Sequence, residues 1–293
     1  MADQPSITPN VEAFFDEATN TISYVVSDPG TAAAAIVDSV LDYDPASGRT
    51  ADRSAERIIA YVRERGLSVE WILETHVHAD HLSAAAFLKG ALGGRTGIGR
   101  HIAQVQAVFG DVFNAGPDFA RDGSQFDALF EDGDSVGLGG LRGRVLHTPG
   151  HTPACVTYVF GAVAFVGDTL FMPDYGSARC DFPGGDAGTL YRSIQKIFAL
   201  PDATRLFMCH DYKAPGRDAY AWETTVGAEK RENIHLREGV SEAEFVEMRT
   251  ARDAGLAMPR LILPSIQVNM RAGEMPPAED NGTVYLKIPV DRL

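Results

Sequence analysis

Apolar positions fall into short blocks along the first third of the chain. Residues 21–27 (TISYVVS) and 32–37 (AAAAIV) are apolar runs parted by Asp28-Pro29-Gly30, a turn tripeptide, and predict two strands. Over 52–65, Ala55, Ile58, Ile59 and Val62 recur at helical spacing, and Gly66 ends that helix. Val69 to Glu74 reads as a buried strand running into Thr75-His76-Val77-His78-Ala79-Asp80-His81, with a helix over 83–91. Residues 134–146, 155–160 and 162–167 are strand candidates, split by glycines and by Thr148-Pro149-Gly150. Leu190, Ile194, Ile197 and Phe198 share one face of a helix over 189–199. Arg205 to Cys209 is a short strand ending at His210. Two further helices are expected, one over about 223–235 and one from Ser241, which forms a capping-box pattern with Glu244. Met275-Pro276-Pro277 then precedes a final strand near 283–288. Two β-rich halves, each followed by helices, imply two packed sheets with helices outside. Strand order does not follow from the pattern.

Composition narrows the function classes. The chain has 293 residues with 26 basic and 40 acidic side chains, a net charge of −14 that repels nucleic acids and anionic membranes. No run approaches the ~18 apolar residues of a membrane span. Cys155, Cys180 and Cys209 form no C-x-x-C pair, which fits a reducing compartment rather than a disulfide framework. Residues 1–17 lack a basic start followed by an apolar core, and the first arginine is Arg49, so no signal or transit peptide is expected and the expected location is cytoplasmic. A chain of this length buries roughly three quarters of its extended surface. It is read as one domain over 1–293, with 239–293 an extension packing on it.

The chemistry concentrates in His76-x-His78-x-Asp80-His81. With 8 histidines in the chain, three at fixed positions arise by chance at roughly 2 × 10⁻⁵ per start. His76 and His78 are two apart, so extended backbone points both the same way, and Asp80 and His81 can turn back from the loop that follows. Imidazoles and carboxylate are ligands for Zn, Fe and Mn. Crowded imidazoles without a metal would repel one another when protonated. Pro149-Gly150 fixes a turn that aims His151 from a strand end, which favours it over His147 four residues earlier. Asp168 follows the apolar run Val163 to Gly167, and a carboxylate buried there needs a partner. His210 likewise ends an apolar strand. Ligands gathered from strand ends suit a metal site on a rigid scaffold. The chain has no G-x-x-x-x-G-K-[ST] and no G-x-S-x-G motif.

This order of motifs, over roughly residues 20–215, resembles the metallo-β-lactamase superfamily and implies an αββα sandwich, an α/β fold of four layers, with metal at the sheet edges. The phrases from Pro149 to Thr157, Gly167 to Leu170, Arg179 to Phe182, His210 to Tyr212 and Asn269 to Arg271 are similar to the persulfide (sulfur) dioxygenase branch. Cys180 stands where better-known members carry Thr, and the surroundings resemble a bacterial sub-branch. The resemblance implies one non-haem Fe(2+) per chain held by His76, His151 and Asp168. His78, Asp80, His81 and His210 would orient those ligands or hold a second metal. The implied substrates are glutathione persulfide and O2, the products sulfite and glutathione, and dimers are common in the family. Arg179 is the candidate for a substrate carboxylate, because a guanidinium binds one bidentately. Tyr212, Lys213, Asn269 and Arg271 are further substrate-binding candidates. Cys180, beside a cation, is either a reactive thiol or a small buried residue. The alternative activity is a binuclear thioester hydrolase resembling glyoxalase II, in which a bridging hydroxide attacks the carbonyl.

Overall fold

The computed structural model describes residues 8–292. The N-terminal expectation about leaders therefore falls partly on residues 1–7, outside the described residues. The first half contains β1 (Asn10–Asp16), β2 (Thr21–Ser27), β3 (Ala33–Val37), β4 (Val40–Asp44), β5 (Arg49–Ala51), α1 (Arg53–Glu64), β6 (Ser68–Leu73), β7 (Leu82–Ser83), α2 (Ala85–Leu92), β8 (Arg95–Gly99), α3 (Ile102–Val112) and β9 (Ala128–Phe130). The second half contains β10 (Ser135–Leu138), β11 (Leu141–His147), β12 (Val156–Phe160), β13 (Val163–Phe165), α4 (Ala187–Phe198), β14 (Arg205–Phe207), β15 (Glu223–Thr225), α5 (Val226–Glu232), α6 (Glu242–Asp253) and α7 (Ile262–Asn269).

Two six-stranded sheets form, in the orders β1-β2-β3-β6-β8-β9 and β10-β11-β12-β13-β14-β15, beside a small β5-β4-β7 sheet. Alternation along the strands explains why the two large sheets stack. On β2, Ile22, Tyr24 and Val26 enter a core shared with Val145, Tyr158 and Phe165 of the second sheet. Val25 points the opposite way, into a layer with Ile58, Ile59 and Val62 of α1 and Leu88 of α2. The second sheet repeats the scheme, with Val159, Ala164 and Leu206 facing Leu190, Ile194 and Ile197 of α4 and Phe245 of α6. Each Val, Leu, Ile and Phe among these contributes about 1.5–3 kcal/mol on burial, and with both faces of both sheets covered the result is the αββα sandwich.

The capping box on α6 is formed, with the Ser241 hydroxyl and the Glu244 carboxylate each satisfying the other's backbone N–H. The segment 223–235 is shorter in helix than its pattern suggests: β15 adds to the sheet edge first, and Thr225 then caps α5. The strand expected near 283–288 does not form. That segment pairs with no strand, and the Gln267 side chain holds the backbone N–H and C=O of Lys287 instead. Among the described residues, no helix is long and apolar enough to cross a membrane.

Candidate metal centre

The chemistry-bearing residues lie at strand ends along one edge of the sandwich. His76 to His81 follow β6, His151 follows β11, Asp168 sits in a short turn after β13, and His210 follows β14. β13 and β14 are parallel, so their ends emerge together. Cross-links join the two sheets at this edge. The Ile22 N–H donates to the Cys209 carbonyl, and the Val156 N–H to the Thr75 carbonyl. Two glycines permit the approach. A Cβ on Gly150 (φ +134°) would meet the Leu190 backbone at 2.4 Å, and one on Gly167 (φ +53°) would meet the Thr75 hydroxyl at 2.5 Å. Both positions combine a left-handed backbone with no room for a side chain.

The seven residues fall into two groups. In the first, His76 Nε2 and His151 Nε2 face the Asp168 carboxylate at 3.8 and 3.7 Å. The opposite ring nitrogens are already committed. His151 Nδ1 donates to the Arg179 carbonyl at 2.8 Å. The Thr75 hydroxyl donates to Asp38 at 2.9 Å and so accepts from His76 Nδ1 at 3.0 Å. Both Nε2 lone pairs are thereby aimed at one point, as outer partners of metal-binding histidines do. In the second group, Nδ1 of His78 and Nε2 of His81 and His210 converge with the Asp80 carboxylate. His78 Nε2 donates to Asp38 at 3.0 Å and lies 3.2 Å from Glu74, so its other nitrogen is the free one.

Fitness for a metal rests on unpartnered atoms. His78 Nδ1, His81 Nε2, His210 Nε2 and Asp168 Oδ1 are fully buried without a hydrogen bond. His210 Nε2 is 3.1 Å from Asp80 and 3.3 Å from Asp168, close enough to pair but not aligned to do so. Ligands about 2.1 Å from one ion lie about 3.0–3.4 Å apart. Orphaned polar atoms of this kind are costly without a partner, so the donor set fits a cation. Burial and neighbouring His78 and His151 hold the His76 imidazole well below its ordinary pKa, and burial pushes His81 down to about 4. Both are thus neutral, as ligands must be. Burial also opposes charge on His78, but the Asp38 and Glu74 carboxylates overcome it and raise its pKa.

A cavity of about 430 Å³ opens onto this edge. His151, Asp168 and Asp80 form its floor, and Phe171, Tyr175 and Tyr212 form part of its wall. Of the expected substrate contacts, Arg179 and Tyr212 line the cavity. The Arg179 guanidinium, however, is held bidentately by Asp181 at 2.6 Å and by the Ala257 carbonyl at 2.7 Å. Lys213 lies over the Tyr220 ring, 4.4 Å from its centroid, and Arg271 over Phe119 at 4.2 Å; neither is on the cavity wall. Asn269 is also off the wall. It clamps the histidine loop from behind, donating to the carbonyls of His78 and His81 and accepting from Ser83 N–H. Cys180 is a buried thiol whose pKa is raised by burial, so it is no ready nucleophile. His147 stacks on His101 and bonds the Pro153 carbonyl, outside both groups.

The family model described as the metallo-beta-lactamase superfamily matches residues 23–210, a span that contains all seven clustered residues. This chain belongs to the metallo-beta-lactamase superfamily. Within the superfamily it is 62% identical over 293 residues to a probable metallo-hydrolase of Burkholderia pseudomallei, covering 97% of this chain and 99% of that protein. It is 31% identical over 266 residues to the human mitochondrial persulfide dioxygenase ETHE1, covering 90% and 88%. The crystal structure of ETHE1 from Myxococcus xanthus aligns with a TM-score of 0.72 at 29% identity, covering 90% of this chain and all of that one.

Several residues that build the superfamily site here went unread in the sequence. Asp38 is the main one: it holds Thr75 and His78 together. The signal was available, since Asp38 ends the apolar run 33–37 just as Asp168 ends 163–167. Thr21, whose hydroxyl lies 3.3 Å from Nδ1 of both His81 and His210, carried no such signal.

Proposed function

We propose that this chain is a mononuclear non-haem iron persulfide dioxygenase that converts glutathione persulfide, O2 and water to sulfite and glutathione. The observation that carries the reading is the three-donor group of His76, His151 and Asp168, two of whose members form the floor of a substrate-sized cavity. Two imidazoles and a carboxylate on one side of a metal leave the other side open, the arrangement suited to ferrous oxygenases. The persulfide dioxygenase relative and the aligned ETHE1 structure support it.

His76, His151 and Asp168 would hold the ion, and ferrous iron supplies there a reducing centre at which O2 and a persulfide anion react side by side. The chain's own part is positional. The Arg179 carbonyl and the Thr75 hydroxyl keep the protons on Nδ1, so neither imidazole can rotate its donor away. Phe171, Phe182 and Tyr175 form walls that exclude bulk water from the reacting sulfur. Asp80, on the cavity lining, is held ionised by His210 and His81, so it stays a negative charge beside the donors rather than a proton acceptor.

One observation favours a second reading. The unpartnered nitrogens of His78, His81 and His210 would complete a second metal position, which suits a binuclear thioester hydrolase and agrees with the metallo-hydrolase name of the Burkholderia relative. Oxygen uptake with glutathione persulfide by anaerobically prepared, metal-quantified protein separates the two. One iron per chain with stoichiometric sulfite supports the dioxygenase. Two metals per chain with thioester cleavage and no oxygen uptake overturns it.

A further inference from the structure

The chain carries a net charge of −14, yet four arginines line the cavity: Arg179, Arg249, Arg252 and Arg260. Two of them are already neutralised. Arg179 is spent on Asp181 and the Ala257 carbonyl. Arg249 is buried against Asp253 and the Ser177 carbonyl. The side chain of Arg252, three residues further along the same face of α6, makes no hydrogen bond or ion pair among the described residues. Arg260, in the connection before α7, makes none either. Both are exposed and both lie beyond residues 23–210, the span of the superfamily match.

We propose that Arg252 and Arg260, rather than Arg179, take the carboxylates of the thiol tail. The inference rests on the persulfide reading and extends it to the substrate's other end. A guanidinium gains most from a carboxylate, through paired charge-assisted hydrogen bonds, and these two have no internal competitor. Between them and the floor, Leu256, Tyr175 and Tyr212 offer apolar surface for the intervening chain.

Size limits the tail. About 430 Å³ is near the low end for a drug-sized ligand. Past Arg260 the surface continues into a second groove sharing Ala18, Thr19 and Arg260 with the first. That groove adds Asp16, Asp42 and Asp44 together with Arg49 and Arg53, and Arg53 lies 3.6 Å from Asp42. A phosphorylated carrier extending there would meet both signs of charge.

Calorimetric binding of S-methylglutathione, which carries the tail but cannot turn over, tests the assignment. The wild-type chain is expected to bind it, and the double variant R252A/R260A to bind about tenfold more weakly. The diethyl ester of S-methylglutathione should bind wild type and variant alike, because removing the carboxylates and removing the arginines delete the same interaction. R260E should weaken binding further, and added salt should narrow the difference. Unchanged affinity in R252A/R260A and R260E overturns the proposal, as does an ester that binds wild type as well as the parent acid. Tighter binding of S-methyl-coenzyme A than of S-methylglutathione also overturns it. The dioxygenase reading fails separately. Binding that depends on these arginines, in a chain that consumes no oxygen with glutathione persulfide, removes that activity and leaves the thiol-tail site standing.

Discussion

The two groups of donors lie side by side and differ in what faces them. His76 and His151 have their outer nitrogens fixed by a hydroxyl and a carbonyl, and His151 and Asp168 reach the cavity. His78, His81 and His210 are sealed at 0% exposure, and only Asp80 connects their group to the cavity. The first group is open to substrate, while the second is packed behind it and tied to Asp38, Glu74 and Thr21. Sequence spacing makes the residues of both groups look alike. Access and tautomer make them different, and those are what assign chemistry.

The largest effect is expected at Asp168, which faces both groups. Asp168→Ala should lose bound iron and lower oxygen uptake by more than about 100-fold, read by metal analysis and an oxygen electrode. An iron-loaded, active variant would remove the carboxylate from the site altogether. His210→Ala divides the two groups. If the open group alone holds iron, the variant keeps one iron per chain and loses about 10–100-fold in activity. A fall from two metals to one with complete loss of turnover would make the sealed group a metal site.

Asn269→Ala tests whether the histidine loop is held from behind. It leaves the His78 and His81 carbonyls and the Ser83 N–H without their buried partner. A cost of about 3 kcal/mol follows, lowering Tm by about 5–10 °C. Activity at saturating iron should change much less than Tm. An unaltered melt would show that the clamp carries no stability.

The smallest effect sharpens the contrast from outside. Asp38 is buried and Asp80 half-buried, yet histidines beside them hold both carboxyls below their ordinary value. Glu229 is buried with Asn233 at 2.6 Å and no cation, and burial pushes it from 4.5 up to about 8. Between those values the folded chain keeps a proton that the unfolded chain gives up. Its contribution to stability therefore declines as pH rises through that window and levels off above about 8. Glu229→Gln should flatten this decline, seen as a smaller shift in urea midpoint between pH 5 and pH 8 than in wild type. Equal shifts would mean that the carboxyl is ionised in the fold.

Residues near in sequence were legible because period and spacing are local. Ala55, Ile58, Ile59 and Val62 are the buried residues of α1, and β2 covers the expected 21–27. The strands β8 and β9 are too short to show a period, whereas the helix α3 was legible but not read, with Ile102, Val105 and Phe109 at helical spacing on its buried face. The segment 283–288 shows the reverse failure: its alternation is strand-like, but a strand needs a neighbour, and the Gln267 side chain takes its backbone groups instead.

The sequence by itself determined which side chains could serve as donors, because imidazole and carboxylate chemistry and strand-end placement travel with the residues. It also determined the two-sheet sandwich, because alternation decides which faces must be covered. Tertiary structure alone decided which donors open to the cavity, which nitrogen each ring presents, and which arginines stay unspent. Those outcomes depend on partners far away along the chain, such as Asp38 for His78, the Arg179 carbonyl for His151 and the Ala257 carbonyl for Arg179 itself, where a hydrogen bond is worth having only once folding has excluded water.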